Sequence, residues 1–285
     1  MKYAKISIII KSSQKLPYFI GSQIRGALGH SLKKIVCINP SFSCQDCFNA
    51  NACIYYEFYE KKNEYHKYRL AFDLGKDYYD FDFYLFEEAV NKLPYLISSL
   101  IQMLTKTGLG RDKIKYQNFD IFINNKDIYN SKQIKIPANY IQDFLYKDFC
   151  SNISLEFTSP LRIKKNNFLL KNQEQISKLS LKDFLNSIYQ RSLRLKNLET
   201  KSLDFEPHGE IIKRDLFFQE LRRKSSRQNV TMSLGGIMGK IELRNLDEQS
   251  FKLLNLGELI ALGKQSVFGL GNIKIRNIDE QNSAS

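Results

Sequence analysis

Three groups of residues in this sequence have the types and spacing to do chemistry. His30 has Lys33 and Lys34 three and four positions ahead and Gly26 four behind, offsets that make neighbours on a helix surface. An imidazole changes charge near neutral pH and serves as general acid or base. Ammonium groups beside it suit developing charge on a phosphate. Immediately downstream stand Cys37, Cys44, Cys47 and Cys53, spaced C-x6-C-x2-C-x5-C, four of the chain's five cysteines. The C-x2-C core suits tetrahedral thiolate coordination, with structural zinc the first choice and an iron–sulfur cluster the alternative. A closed four-thiolate site leaves no open position for substrate, so its role would be structural. The third group is Leu259–Ile275, LIALGKQSVFGLGNIKI, with Gly263, Gly269 and Gly271 around Lys264 and Phe268. Glycine permits positive φ and close backbone approach, and a lysine beside such a loop suits a phosphate. Phe268 could stack on a base or plug the loop into the core. Each group also has a plainer reading: a solvated histidine, unligated thiols, a tight helix-to-strand turn.

The elements that must position these residues are legible from periodicity. Lys2–Lys11 alternates about Ile6, Ile8 and Ile10 and reads as a strand. Ser22–Val36 carries a helical pattern, with Ile24, Leu28, Leu32 and Ile35 within an arc of about 80° and His30 about 240° from Ile24, pointing outward. Tyr68–Leu74 and Asp80–Leu85 resemble strands, and Glu87–Lys106 is an amphipathic helix closed by Thr107-Gly108-Leu109-Gly110. Asn118–Ile123 reads as a strand. Strand, helix, strand, strand, helix, strand is a ferredoxin-like order. After a polar join, Asn124–Lys147, a second copy follows. Asn152–Phe157 is a strand, and Thr158–Leu170 a strand pair around Ser159-Pro160. Ser180–Leu198 is a helix with Arg191, Arg194 and Lys196 outward. Thr231–Leu243 is strand-like, and Asp247–Leu262 is the last helix, running into the glycine-rich loop. The plainer reading of the dense basic run Arg222, Arg223, Lys224 and Arg227 is a solvated helix face. His66 and His208 read as bystanders, and Cys150 as a small core residue. The fold class is therefore α+β: two tandem ferredoxin-like (RRM-like) domains, over 1–145 and 150–278, with a four-cysteine metal-binding insertion at 37–53 in the first.

Composition sets the outer bounds. Lys plus Arg number 43 against 30 for Asp plus Glu, a formal charge of +13 over 285 residues. That balance favours a polyanion, nucleic acid or an anionic membrane. No apolar run approaches the roughly 18 residues of a membrane helix, and Met1–Ile10 lacks the apolar stretch of a signal peptide. The expected location is cytoplasmic, where clustered cysteines are not expected to pair as disulfides.

Several stretches together resemble a known family: RGALGHSLKKIVC (Arg25–Cys37) with the cysteines after it, TGLG (Thr107–Gly110), TSPLRI (Thr158–Ile163), SSRQ with GGIMGKI (Ser225–Ile241), and LGELIALGKQSVFGLG (Leu256–Gly271). The chain resembles the CRISPR-associated endoribonucleases that cut precursor CRISPR RNA, of the repeat-associated mysterious protein (RAMP) superfamily. The resemblance implies metal-independent cleavage beside a repeat hairpin. A ribose 2′-hydroxyl attacks the adjacent phosphate and leaves a 2′,3′-cyclic phosphate and a 5′-hydroxyl. It implies a catalytic histidine on the first helix, matched by His30, with Tyr18 and Lys33 or Lys34 as its candidate helpers. The histidine that many relatives carry before the loop glycine is absent from Ile260-Ala261-Leu262-Gly263. RNA-binding candidates are Arg25, Arg222, Arg223, Lys224, Arg227, Lys264, Gln265, Ser266, Phe268, Gly269 and Gly271. Repeat RNA is the expected partner, with CRISPR effector subunits as further partners and no membrane. A non-catalytic RNA-binding subunit of an effector complex is the alternative. No Asp/His cluster suits a catalytic divalent metal, so none is expected.

Overall fold

The alternation at the amino terminus folds as β1 (Lys2–Ile10), with Ala4, Ile6, Ile8 and Ile10 fully buried. The computed structural model describes residues 1–10, 16–61, 65–130, 133–165, 168–225 and 230–278, and the chain divides into two compact units, Met1–Asp143 and Phe144–Ser285. In the first unit β1 is followed by α1 (Gly21–Val36), β2 (Tyr68–Ala71), β3 (Tyr79–Phe86), α2 (Leu93–Gln102) and β4 (Asp120–Ile123). The antiparallel sheet is built on the order β2-β3-β1-β4, with two short additions, Lys126–Asp127 paired to β4 and Gln142–Asp143 paired to β1. Register matches burial: Ile6 faces Phe83 and Ile123, and Ile8 faces Phe81 and Ile121. One sheet face is thus a continuous apolar surface. Ile24, Leu28 and Leu32 of α1 and Leu96, Ile97 and Leu100 of α2 are buried as well and complete that core.

The second unit repeats the plan with β5 (Ile153–Leu161), α3 (Leu181–Leu195), β6 (Glu210–Gln219), β7 (Gly236–Arg244), α4 (Glu248–Ile260) and β8 (Ile273–Asn277), in sheet order β6-β7-β5-β8. Numbered by position in the repeat, both sheets run 2-3-1-4, the ferredoxin-like order. α3 opens on a capping box, with Ser180 Oγ accepting from the Asp183 amide and Asp183 accepting from the Ser180 amide. α4 opens on Asp247, whose carboxylate accepts from the amides of Ser250 (2.8 Å) and His208 (2.7 Å). The backbone of His208 is thereby a structural clamp.

Five expectations are corrected. Ile35 is exposed, because α1 runs past the core edge in its last turn. Glu87–Lys106 is not one helix: a 3₁₀ stretch, α2 and a π turn, Met103–Thr107, follow each other. Thr158–Leu170 is not a pair about Pro160, since β5 runs through to Leu161. β7 shifts register opposite it between Ile237 and Gly239, so the missing proline N–H falls at a bulge. The basic run is not helical: Arg222–Ser225 pairs with Val230–Ser233 in a hairpin whose base is closed by the Leu234 amide on the Leu221 carbonyl, 2.7 Å. Arg191 is not outward; it is 3% exposed and donates to the Ile260 carbonyl at 2.5 Å. The last carbonyls of a helix lack intrahelical partners and carry negative partial charge, which a guanidinium meets well. Among the described residues no helix is long and apolar enough to cross a membrane.

Candidate active site

α1 is held in place by an aromatic cluster. The Tyr59 hydroxyl donates to the Arg25 carbonyl at 3.0 Å, and the Arg25 guanidinium lies 4.7 Å from the Tyr59 ring centroid while its Nε donates to the Tyr68 hydroxyl at 3.2 Å. Burial pushes the Tyr59 phenol well above its usual range, so it stays a donor. The ring presses on Gly29: a Cβ there would stand 2.5 Å from the tyrosine Cε1. One position on, Ser31 Oγ shares a hydrogen bond of 2.8 Å with Thr107 Oγ1. The helix is thus pinned on both sides of residue 30. Arg25, read from sequence as an RNA-binding residue, is committed to this cluster.

His30 itself is exposed. Gly26, one turn back, has nothing within 4 Å of where a Cβ would stand, so the helix surface before the imidazole is open. Partial shielding of the ring, then the charge of Lys34, then that of Lys113 hold His30 below the ordinary histidine value. The structure therefore adds a residue that the sequence reading missed. Lys113 sits at φ +50° in a tight turn closed by reciprocal backbone bonds between Leu109 and Ile114, 2.8 and 2.9 Å. Gly108, at φ +81°, lets the turn close: a Cβ there would lie 2.0 Å from the Lys113 carbonyl oxygen. The signal was present in Gly108-Leu109-Gly110-Arg111-Asp112-Lys113, two glycines followed by basic residues, but that segment reads from sequence only as a helix stop.

The other proposed helpers are placed elsewhere. Lys33 turns aside, its ammonium 5.0 Å from the centroids of both Phe42 and Tyr55. The Tyr18 ring lies over Gly75, whose Cβ would be 3.2 Å from it, and the Tyr18 carbonyl accepts from the Gly75 amide at 3.0 Å. Among the described residues no hydrogen bond or ring contact joins Tyr18 to His30. Cys37, Cys44, Cys47 and Cys53 carry free thiols and line one cavity of about 330 Å³ including its open mouth. No three His, Cys, Asp or Glu among the described residues converge as a metal-binding group.

In the second unit the glycine-rich loop is knitted to the end of β5. The Leu262 amide donates to the Gly271 carbonyl at 2.8 Å, the Lys264 amide to Arg162 at 2.9 Å and the Gly271 amide to Pro160 at 3.2 Å. Gly271 sits at φ +76°, where a Cβ would fall 1.8 Å from the Leu262 oxygen. The Gly269 amide donates to the Ser266 carbonyl at 2.9 Å. The amides of Gly269 and Gly271, expected to meet a ligand, are thus spent within the fold. Ser266 and Phe268 are buried, Phe268 at 7% exposure, with the Arg223 guanidinium 4.4 Å from its ring centroid. At that exposure, and with a guanidinium over the ring, little of Phe268 is left for a base to stack on. Lys264, Gln265 and Arg222 are exposed, and Gln265 adopts the left-handed conformation at φ +69° that swings the loop outward. Lys224 falls in the hairpin strand, and Arg227 lies outside the described residues.

Comparison with known proteins agrees with the fold. Residues 1–140 match the AF_1859_N amino-terminal domain, and residues 155–273 match the CRISPR-associated endoribonuclease Cas6. An uncharacterized protein of Archaeoglobus fulgidus is 26% identical over 284 residues, 92% of this chain and 93% of its own length. Among solved structures, a Cas6 (TTHB231) product complex superposes with a TM-score of 0.55 at 11% identity, covering 97% of this chain and 99% of that one. A Cas6 (TTHA0078) product complex does so at 0.54 and 13% identity, covering 97% and 100%. The two ferredoxin-like units thus share the fold of these Cas6 structures, and the second unit, with its glycine-rich loop before the last strand, matches the family model of the CRISPR-associated endoribonuclease Cas6.

Proposed function

We propose that this protein is a metal-independent endoribonuclease that cleaves CRISPR repeat RNA. The observation that carries the reading is His30, exposed on a pinned helix, with open space before it and two lysine charges, Lys34 and Lys113, acting on its ring. In-line attack by a ribose 2′-hydroxyl needs a base for that hydroxyl, an acid for the leaving 5′-oxygen and positive charge for the phosphate. Partial shielding of the ring and the two lysine charges disfavour the imidazolium, which leaves neutral His30 available to accept the 2′-hydroxyl proton. A bound phosphate would offset those same charges and favour protonation as the phosphorane forms. Lys34 and Lys113 stabilise the extra charge on the phosphate oxygens. The nucleophile belongs to the RNA, so the products are a 2′,3′-cyclic phosphate and a 5′-hydroxyl.

Lys264, Gln265 and Arg222 of the second unit hold the RNA backbone, with Arg223 poised beside them on Phe268. Duplex RNA is read chiefly through shape, phosphates and 2′-hydroxyls, which suits exposed cations. Support for RNA as the ligand comes from the family match and from the product complexes formed by the two structural relatives. The test uses repeat RNA carrying a single 2′-deoxy substitution at the nucleotide before the cut. The unmodified RNA should be cut in EDTA to a cyclic-phosphate end, and the deoxy RNA should bind equally and remain intact. Binding without any cutting of the unmodified RNA would favour a non-catalytic subunit of an effector complex instead.

A further inference from the structure

The segment from Cys37 to Cys53 poses a folding problem. Not one of its 17 residues is buried, and its large apolar side chains Ile38, Phe42 and Phe48 are exposed at 64%, 44% and 77%. Its regular structure amounts to one 3₁₀ turn, Ala50–Ala52. Its hydrogen bonds are short-range and mostly on the surface, such as Asn39 Nδ2 to the Ser43 carbonyl at 2.9 Å and the Gln45 amide to Ser43 Oγ at 3.2 Å. Loops longer than about 12–15 residues with so little structure of their own are uncommon in compact domains, and a covalent or metal staple is one way to order such a stretch. What it does have is four thiols, each only partly exposed, that line a single cavity together with Asn39, Ser43, Asn49 and Ala50.

From this arrangement we propose that Cys37, Cys44, Cys47 and Cys53 bind one structural zinc ion. The second observation is Lys33, which lines the same cavity with its ammonium held 5.0 Å from the Phe42 and Tyr55 rings. Four thiolates around a divalent ion form a net dianion, and the nearby Lys33 ammonium offsets part of that charge. The sulfurs do not yet form a metal-binding group, so binding draws the turns between residues 39 and 49 inward. The bonds that hold those turns are local: the Phe42 amide on the Asn39 carbonyl at 2.9 Å, the Ala50 amide on the Cys47 carbonyl at 3.1 Å, and exposed side-chain bonds about Asn39 and Ser41. Each thiol gives up its proton to solvent as its sulfur–zinc bond forms, and no electron is transferred. Binding energy becomes folding energy for the insertion, which anchors the carboxyl end of the helix that carries His30.

Elemental analysis of the full-length protein, with thiols counted before and after chelation, tests the assignment without any RNA. We expect about one zinc per chain, shielding of four thiols that become reactive on chelation, and a lowered Tm after the metal is removed. Cobalt in place of zinc should give the intense thiolate charge-transfer bands of tetrahedral coordination. Zinc should be lost in Cys44→Ser/Cys47→Ser and kept in Cys150→Ser. If the double variant does not fold, the thiol count and metal content of the unaltered protein still decide. Four freely reactive thiols with no metal, two disulfides, iron with sulfide, or zinc retained by the double variant would each overturn the proposal. None of these outcomes bears on whether RNA is cut.

Discussion

Two glycines three residues apart on α1 should respond to the same substitution with opposite signs. At Gly26 a Cβ meets nothing within 4 Å, so Gly26→Ala gains only helix propensity, about 0.8–1.0 kcal/mol. At Gly29 the new methyl would lie 2.5 Å from Tyr59 Cε1, and the ring has little freedom to yield. Its hydroxyl is bonded to the Arg25 carbonyl, the Arg25 guanidinium covers one side and Tyr55 stacks at 5.3 Å. Overpacking of this kind costs about 1–3 kcal/mol, and displacing the ring forfeits a hydrogen bond worth about 1 kcal/mol. Subtracting the helix gain leaves Gly29→Ala destabilised by about 1–3 kcal/mol. The two variants should therefore differ by roughly 2–4 kcal/mol, or about 6–16 °C in the melting of a unit of this size. Thermal and urea unfolding followed by circular dichroism read this directly. Equal stabilisation by both substitutions would show that Tyr59 does not clamp α1. Cleavage adds a second sign: Gly26→Ala, although more stable, should cut more slowly, because it fills the open surface before His30.

Gly271→Ala combines left-handed strain with loss of the Leu262–Gly271 bond, and should destabilise by about 3–5 kcal/mol on unfolding; a change under 1 kcal/mol would contradict the loop geometry. Lys34→Gln with Lys113→Gln removes two charges that disfavour the imidazolium. The His30 pKa measured by NMR, and the acid limb of the rate profile that requires neutral His30, should both move to higher pH. An unmoved or lowered pKa would show that these lysines do not act on the ring. Lys264→Ala should weaken RNA binding evenly across sequences and reduce the salt slope by about one; an undiminished slope would place the backbone contact elsewhere.

The architecture was readable because strand alternation and helical spacing are local. Ile6, Ile8 and Ile10 announce one sheet face, Leu28 and Leu32 one helix face, and the ferredoxin-like order follows from sequence succession. What escaped depends on contacts between distant residues. Arg191 lies on the polar side of its helix in sequence terms, yet the unmet carbonyls at the end of α4 draw it inward. Phe268 and Arg223 are 45 positions apart, and only the fold stacks one upon the other. Ile35 and Lys33 continue the α1 pattern, but the helix outruns the core there and meets the cysteine segment. Lys113 belongs to a turn whose proximity to α1 is set by Thr107 and Ser31 across 76 residues, which periodicity cannot see.

Proton transfer by His30 is the central step of the proposed cleavage. The most direct measurement is the single-turnover cleavage rate of bound repeat RNA in EDTA, for the unaltered protein and for His30→Ala, with RNA affinity measured in parallel. The rate should fall by about 10²–10⁴-fold while affinity stays unchanged. Cutting by His30→Ala at the rate of the unaltered protein would contradict it.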